Sequence, residues 1–393
     1  MYRLREMEWA DWNCDAARRY TIGIEEEVML LDPVDHSLLQ CSESVLPRLS
    51  DGLAAHASPE THASVIELAT GVHDEVGGAV AELAALREQL AAELRVIGLA
   101  VASAGTYPLA SPEETRLSGT GRYSVVAESM RSIARREPTL ALHVHVGVPD
   151  PDDAVRVLNG LRNAVPLLLA LSANSPFCRG RDSGFASART VIFQGFPRTG
   201  TARRFSCYGD YTGAVDALIT SGAIPDPTFL WWDVRLQPAL GTVEVRVMDA
   251  QSALADSSAL IALVRALARL ALEDEPAGFA IGPEVLAENR FLAARDGLAA
   301  RLVDPAERRL VPVRALVDAL LARCRRHADE IGAVELDGVA RLMLASGADR
   351  QRAWAREHGL PRLVPLLIKR YAGSGARSGQ RARSARQHEG AFG

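Results

Sequence analysis

The segment TLALHVHVGV, residues 139–148, decides the fold, because aliphatic side chains alternate along it with histidine and glycine. Successive side chains on a β-strand point to opposite faces. Leu142, Val144, Val146 and Val148 therefore line one face, and His143, His145 and Gly147 the other. Two further segments repeat the pattern. In TVEVRV, residues 242–247, Val243, Val245 and Val247 oppose Thr242, Glu244 and Arg246. In TIGIEEEVMLL, residues 21–31, Glu25 and Glu27 share a face with Gly23 and Met29, while Ile22, Ile24, Val28 and Leu30 share the other, interrupted by Glu26. Three strands thus pair an aliphatic face, fit to pack under helices, with a face of ionisable groups. Gly23, Gly147 and the aliphatic neighbours point to central strands of one sheet.

Outward from these strands, apolar residues at helical spacing, including Leu83, Leu86, Leu90, Leu94 and Ile97, predict a long helix over 76–102. A helix from about 124 to 136 ends before Pro138. Asp150-Pro151 opens a helix, followed by a second holding PLLLALSAN. FLWWDVRLQP and TVEVRVM read as paired strands around a turn at Gly241, and from Ser257 onward the chain is mostly helical. Residues 176–213 are irregular and hold Arg189, Arg198, Arg203 and Arg204. An irregular run inside a compact chain is more often functional than idle. These arginines suit a clamp over phosphates or a carboxylate, or a solvated loop. The tail from 372 to 393, rich in Gly, Ser, Arg and Gln, reads as disordered. The fold class is α+β.

The chain has 393 residues and a net charge of −5, which argues against nucleic acid as a partner. Lys369 is the only lysine, so a phosphate clamp must use arginine and no P-loop is available. Five scattered cysteines without a Cys-x-x-Cys pair fit a reduced cytoplasmic protein. The longest apolar stretch, around 164–171, is too short to span a bilayer and contains Pro166, so no membrane partner is expected.

If the ionic faces combine, neighbouring carboxylates repel and require a cation. Glutamate oxygens with an imidazole suit Mg2+ or Mn2+. Arg246, two residues from Glu244, would present a guanidinium to the same surface, where it can hold phosphate. Each piece alone also has an ordinary reading, as a solvated strand face or a surface salt pair. Ser58-Pro59-Glu60 reads equally as a helix start, with Ser58 capping and Pro59 in the first turn. That reading leaves Glu67, inside an apolar run, unexplained and makes it the better ligand candidate. Trp231 and Trp232 read as core packing or as a platform for a base.

The motifs GIEEEVMLLD, ASVIELATG, AGTYPLAS, LHVHVGV, LLALSANSPF, ASARTVIFQGFPR, LWWDVRL and GTVEVRVMDA follow one another over about residues 20–250. Together they resemble the carboxylate–amine ligases known as type 2 glutamate–cysteine ligases, relatives of glutamine synthetase. GPEVLAENRFLAARDGLAA extends the resemblance to about residue 370. It implies a glutamine synthetase-like curved antiparallel sheet with helices on its outer face, spanning 21–371 after an N-terminal extension of residues 1–20. It implies ATP bound with Mg2+ or Mn2+, and Glu25, Glu27, Glu60, Glu67, His143 and Glu244 as metal ligands. Arg246 would contact ATP phosphate and act in catalysis with Arg189 and Arg198, while Arg235 and His145 would help to hold the nucleotide. The implied reaction activates a carboxylate as an acyl phosphate, which an amine converts to an amide under a lid formed by residues 180–205. L-glutamate and L-cysteine are the leading substrates. A different acid–amine pair, or phosphoryl transfer of the phosphagen-kinase type, is the alternative. A homodimer is the family-level expectation. Tyr107 and Gln237 depart from the histidines of many relatives, in loops expected to border the acceptor site.

Overall fold

A computed structural model describes residues 7–109, 115–119, 121–273, 281–330 and 334–373. The tail expected to be disordered lies outside the described residues from 374 on, as do the first six residues of the N-terminal extension.

Seven antiparallel strands form the main sheet: β1 (Ile22–Leu31), β2 (Ala57–Pro59), β3 (Val65–Ala69), β4 (Ala100–Ala102), β5 (Ala141–Gly147), β6 (Val234–Gln237) and β7 (Thr242–Asp249). Their order is β6-β7-β5-β1-β3-β2, with β4 paired to the end of β1. The three segments picked out by alternation are thus adjacent, in the order β7-β5-β1. Residues directly opposite on antiparallel strands share a face. The register sets Glu25 opposite His143, Gly23 opposite His145, His145 opposite Glu244, and Glu27 opposite Glu67. It also sets Arg235 opposite Glu244. The ionic faces therefore combine into one surface.

The aliphatic faces pack against helices α1 (Val76–Val96), α3 (Pro151–Ser172) and α5 (Leu254–Glu273). One core joins Ile22, Ile24, Val144, Val146, Val243 and Val245 to Leu83, Leu161 and Leu263 from these helices. Shorter helices α2 (Gly121–Met130) and α4 (Ala188–Phe193) belong to the other face. Helix α3 has 22 residues and is apolar enough to cross a membrane by length and composition, yet 72% of its apolar window is buried in the protein. It is one unbroken helix, not two. Pro166 sits inside it, and its first-turn amides are capped by Asp150.

Three local readings change. The helix predicted over 76–102 stops at Val96. Gly98 follows with a positive φ of 77°, a conformation glycine adopts without Cβ strain, and Ala100–Ala102 turns back as β4 beside β1. Residues 57–69 form two paired strands instead of a capped helix. Pro59 is tolerated because β2 is the sheet edge, where the missing amide breaks no ladder. Strict alternation in β7 ends in a bulge between Val245 and Met248, which lie opposite Val144 and Leu142. Such a bulge bends the strand and re-aims its side chains; on the other side of β7 the Arg246 amide donates to the Asp233 carbonyl at 2.8 Å, one step beyond Val234–Val245 in the same register.

Residues 7–20 pack across the strand ends. Trp12 Nε1 donates to the Val148 carbonyl at 2.8 Å, and a Cβ at Gly147 would collide with the Arg18 carbonyl and the Thr21 hydroxyl. Glu26, the interruption in the aliphatic face of β1, is fully buried and paired with Arg87 of α1, whose Nε lies 2.6 Å from Glu26 Oε2. Arg87 also donates to the Gln251 carbonyl and sits 4.9 Å from the Tyr371 ring centroid. Removing one partner of a buried pair strands the other charge, at about 3–5 kcal/mol. Arg87→Leu is accordingly expected to lower stability by about that amount in chemical denaturation, with much of the loss recovered in Glu26→Leu/Arg87→Leu.

Candidate active site

The ionic face of the sheet floors a cavity of about 500 Å³. Its lining includes Glu25, Glu27, Glu60, Glu67, His143, Arg189, Arg235 and Arg246. His143 is central. Its Nδ1 is 3.0 Å from Glu25 Oε2, 3.9 Å from Glu67 Oε2 and 4.0 Å from Glu244 Oε1, and its Nε2 is 4.0 Å from Glu27 Oε1. Two three-residue clusters result, Glu25–His143–Glu244 and Glu27–Glu67–His143, each with ligand atoms within 4.8 Å of one another. They share the imidazole. Glu60 lines the cavity but joins neither cluster.

Burial and mutual repulsion act on these carboxylates unequally. Burial, then the charge of Glu60, pushes Glu27 up to about 8. Burial, followed by repulsion from Glu25, Glu60 and Glu27, holds Glu67 well above the usual carboxylate range. For Glu244 burial is outweighed by Arg235 and Arg246, which keep it ionised. For Glu25 burial is outweighed by His145 and by hydrogen bonds from both histidines, so it too stays below the usual range. Burial and then the Arg246 charge press His143 down to about 4, leaving a neutral imidazole with a lone pair to offer. Several carboxylates around one neutral imidazole form an oxygen-rich donor set that fits a hard divalent cation such as Mg2+ or Mn2+.

Glu244 is fully buried behind the lining, and its two oxygens are used differently. Oε2 accepts from Arg235 Nε at 2.5 Å and from Gln237 Nε2 at 2.8 Å. Oε1 is bonded to Arg246 and faces both histidines. Gln237 thus touches a candidate ligand directly, and it is absent from the cavity lining. Tyr107, also expected near an acceptor, is 5% exposed in an apolar cluster with Met29 and Leu31, its hydroxyl donating to the His36 carbonyl at 3.0 Å. Its aromatic bulk serves packing. His145 is buried between Thr242, 2.9 Å from Nδ1, and Glu25, 3.3 Å from Nε2.

The arginine-rich segment is a wall of the cavity and not a free flap. Ser187 caps α4 and donates to Asp249 at 2.8 Å. Arg189 Nη1 and Nη2 each donate at 3.1 Å, to the carbonyls of Val247 and Arg246, so this guanidinium is fixed beside the bulge. Thr199–Gly200 pairs in parallel with Trp231–Trp232. Arg198, expected among the catalytic arginines, lies outside the lining: its Nε donates to the Phe229 carbonyl at 3.0 Å and its guanidinium stacks on Trp231 at 5.1 Å. Trp231 lines the cavity, while Trp232 packs on Phe205 and Tyr211. Arg122, Tyr123, Thr228, Phe193 and Phe196 also line it and were not singled out from the sequence. They come from α2, from the end of α4 and from loops, where no periodicity marks a binding wall.

An antiparallel sheet with one acidic, histidine-bearing face and helices behind it is the glutamine synthetase-like architecture, and the family to which the chain belongs makes it an ATP-dependent carbon–nitrogen ligase. The chain belongs to glutamate-cysteine ligase family 2 (GCS2), whose model matches residues 21–372. It is 41% identical over 338 residues to a Rubrobacter xylanophilus protein named "Putative glutamate–cysteine ligase 2-1", covering 85% of this chain and 89% of that one. It is 40% identical over 361 residues to a second protein of that organism, "Putative glutamate–cysteine ligase 2-3", covering 90% and 98%. The glutamate–cysteine ligase of Francisella tularensis in complex with AMP superposes with a TM-score of 0.66 at 13% identity, over 95% of each chain, and shares the fold.

Glu67→Gln is expected to weaken Mn2+ binding roughly tenfold or more in calorimetry, since it removes a charge from the donor set. The melting temperature should stay near that of the wild type, because the carboxamide fills the same space.

Proposed function

We propose that the protein joins L-glutamate to L-cysteine with ATP, giving γ-glutamylcysteine, ADP and phosphate. The observation that supports this most is the pair of carboxylate–histidine clusters sharing His143, set beside Arg246 and Arg189 at the floor of one cavity.

In this reading Glu25, Glu27, Glu67, His143 and Glu244 hold the divalent cations, with Glu60 at their margin. Bound Mg2+ or Mn2+ supplies neutralisation of phosphoryl charge. Arg246 faces the phosphate, its position set by Glu244, and Arg189 adds a second positive charge that is already oriented by backbone carbonyls. Fixed charge of this kind stabilises the transferring phosphoryl group without reorganising at the moment of reaction. A glutamate side-chain oxygen attacks the γ-phosphorus and ADP leaves. The cysteine nitrogen then attacks the acyl carbon, phosphate departs with the former carboxylate oxygen, and the nitrogen loses its proton. The buried floor and packed wall keep water from the acyl phosphate. Arg235 and His145 act through others: Arg235 holds Glu244, and His145 holds Glu25.

The proposal extends to a homodimer in a reducing cytoplasm. The five cysteines, all free, support the compartment, and the family resemblance supports the dimer.

Purified protein incubated with ATP, Mg2+, L-glutamate and L-cysteine should yield γ-glutamylcysteine by mass spectrometry and equimolar phosphate. Phosphorylated product without phosphate release would favour a kinase instead. Glu27→Gln should abolish ADP formation while leaving the circular dichroism spectrum unchanged; Glu244→Gln should abolish it too, with a lowered melting temperature because Arg235 and Arg246 lose their buried partner. Wild-type turnover in either variant would remove the basis of the proposal.

A further inference from the structure

Beyond its acidic floor, much of the cavity wall is apolar. Tyr123, Val126 and Met130 of α2 face it, together with Phe193, Phe196 and Trp231. Helix α2 is anchored beside the edge strand, where the Tyr123 hydroxyl donates to the Pro59 carbonyl at 2.7 Å. From this helix Arg122 reaches the segment before β6, at the opposite edge of the sheet. Its Nη1 donates to Thr228 Oγ1 at 2.6 Å and its Nη2 to the Thr228 carbonyl at 3.4 Å, with the guanidinium 5.1 Å from the centroid of Phe229.

Four arginines line the cavity, and three of them have an anionic neighbour. Arg235 and Arg246 pair with Glu244, and Arg189 lies 3.9 Å from Asp249. Arg122 forms no direct ion pair among the described residues: its partner Thr228 relays it to the Asp226 carboxylate, and the exposed guanidinium is free to exchange that hydroxyl for an incoming anion. A guanidinium fork matches a carboxylate in two parallel hydrogen bonds, and exchanging a neutral hydroxyl partner for a carboxylate gains a charge-assisted bond.

We propose that Arg122 binds the α-carboxylate of the amino acid that supplies the amine, with that substrate's side chain resting on the apolar wall. The inference deepens the ligase reading and rests on it. The triphosphate is placed by the acidic floor with Arg246 and Arg189; of the carboxylates then left to hold, two on glutamate and one on cysteine, the apolar wall that Tyr123 and Val126 form beside Arg122 suits the substrate with the uncharged side chain. A carboxylate contact made equally in ground and transition states lowers KM and leaves kcat alone.

L-cysteine and cysteamine differ by the α-carboxylate and serve as probes. The wild type should prefer cysteine in KM, and also in Kd measured by calorimetry with a non-hydrolysable ATP analogue and Mg2+. Arg122→Gln should raise KM and Kd for cysteine roughly 10–100-fold, the range of a hydrogen bond to a charged group. Cysteamine should be affected far less, and KM for ATP and glutamate should stay within about twofold. Arg122→Lys should recover part of the preference, and it carries the test if Arg122→Gln does not fold. Equal losses for both thiols, a rise confined to ATP or glutamate, or wild-type protein without a preference for cysteine would each overturn the assignment. Calorimetry needs no turnover. Absence of γ-glutamylcysteine would therefore count against the ligase pair, while the thiol preference alone decides the role of Arg122.

Discussion

Negative charge crowded onto one face of a β-sheet is the constraint that organises this protein. Glu25, Glu27 and Glu67 converge on His143 from β1 and β3, and Glu244 joins from β7. Water cannot screen such a group once it is buried, so each carboxylate needs a positive partner or a proton. The fold answers differently at each position. Glu244 is neutralised by Arg235 and Arg246, and Glu25 is kept ionised by the charge of His145 and by hydrogen bonds from both histidines. Glu27 and Glu67 are left with raised affinities for a proton, which is the electrostatic condition under which a divalent cation is welcome. The same face that would destabilise an isolated sheet is what equips the site for triphosphate chemistry.

Positive charge is therefore rationed by geometry. Arg246 pairs with Glu244 of the cluster itself, whereas Arg189 is fixed to the β7 carbonyls and stands beside it. The bulge after Val245 matters here, because it re-aims the end of β7, whose last residue, Asp249, is tied to Ser187 and Arg189. Behind the sheet the same principle recurs. Glu26 would be intolerable on the aliphatic face of β1 without Arg87, and that pair also stitches α1 to the Gln251 backbone and the C-terminal helix at Tyr371.

The alternation of β1, β5 and β7 identified the sheet and most of the acidic cluster, because a period of two is a local property visible in any window of six residues. Elements whose identity depends on partners were less legible. Residues 57–69 carry helix-start signals, yet β3 is captured by β1 and β2 by β3, which overrides local capping preferences. Ala100–Ala102 looks like the end of a helix and becomes a strand only because β1 offers it an edge. Arg189 and Arg198 look alike in sequence, in one irregular run, but one guanidinium is drawn to the bulge carbonyls and the other to Phe229 and Trp231.

By itself the sequence determined which donor groups the protein owns, on which face of each strand they point, and that arginine must do the work of phosphate binding. Tertiary structure alone decided the register that sets His143 between Glu25, Glu27, Glu67 and Glu244, the division of labour between the oxygens of Glu244, and the wall on which Arg122 stands. The reason is physical: facing direction follows from dihedral angles one residue at a time, whereas proximity and burial, which set charge and ligand geometry, arise only when distant segments pair.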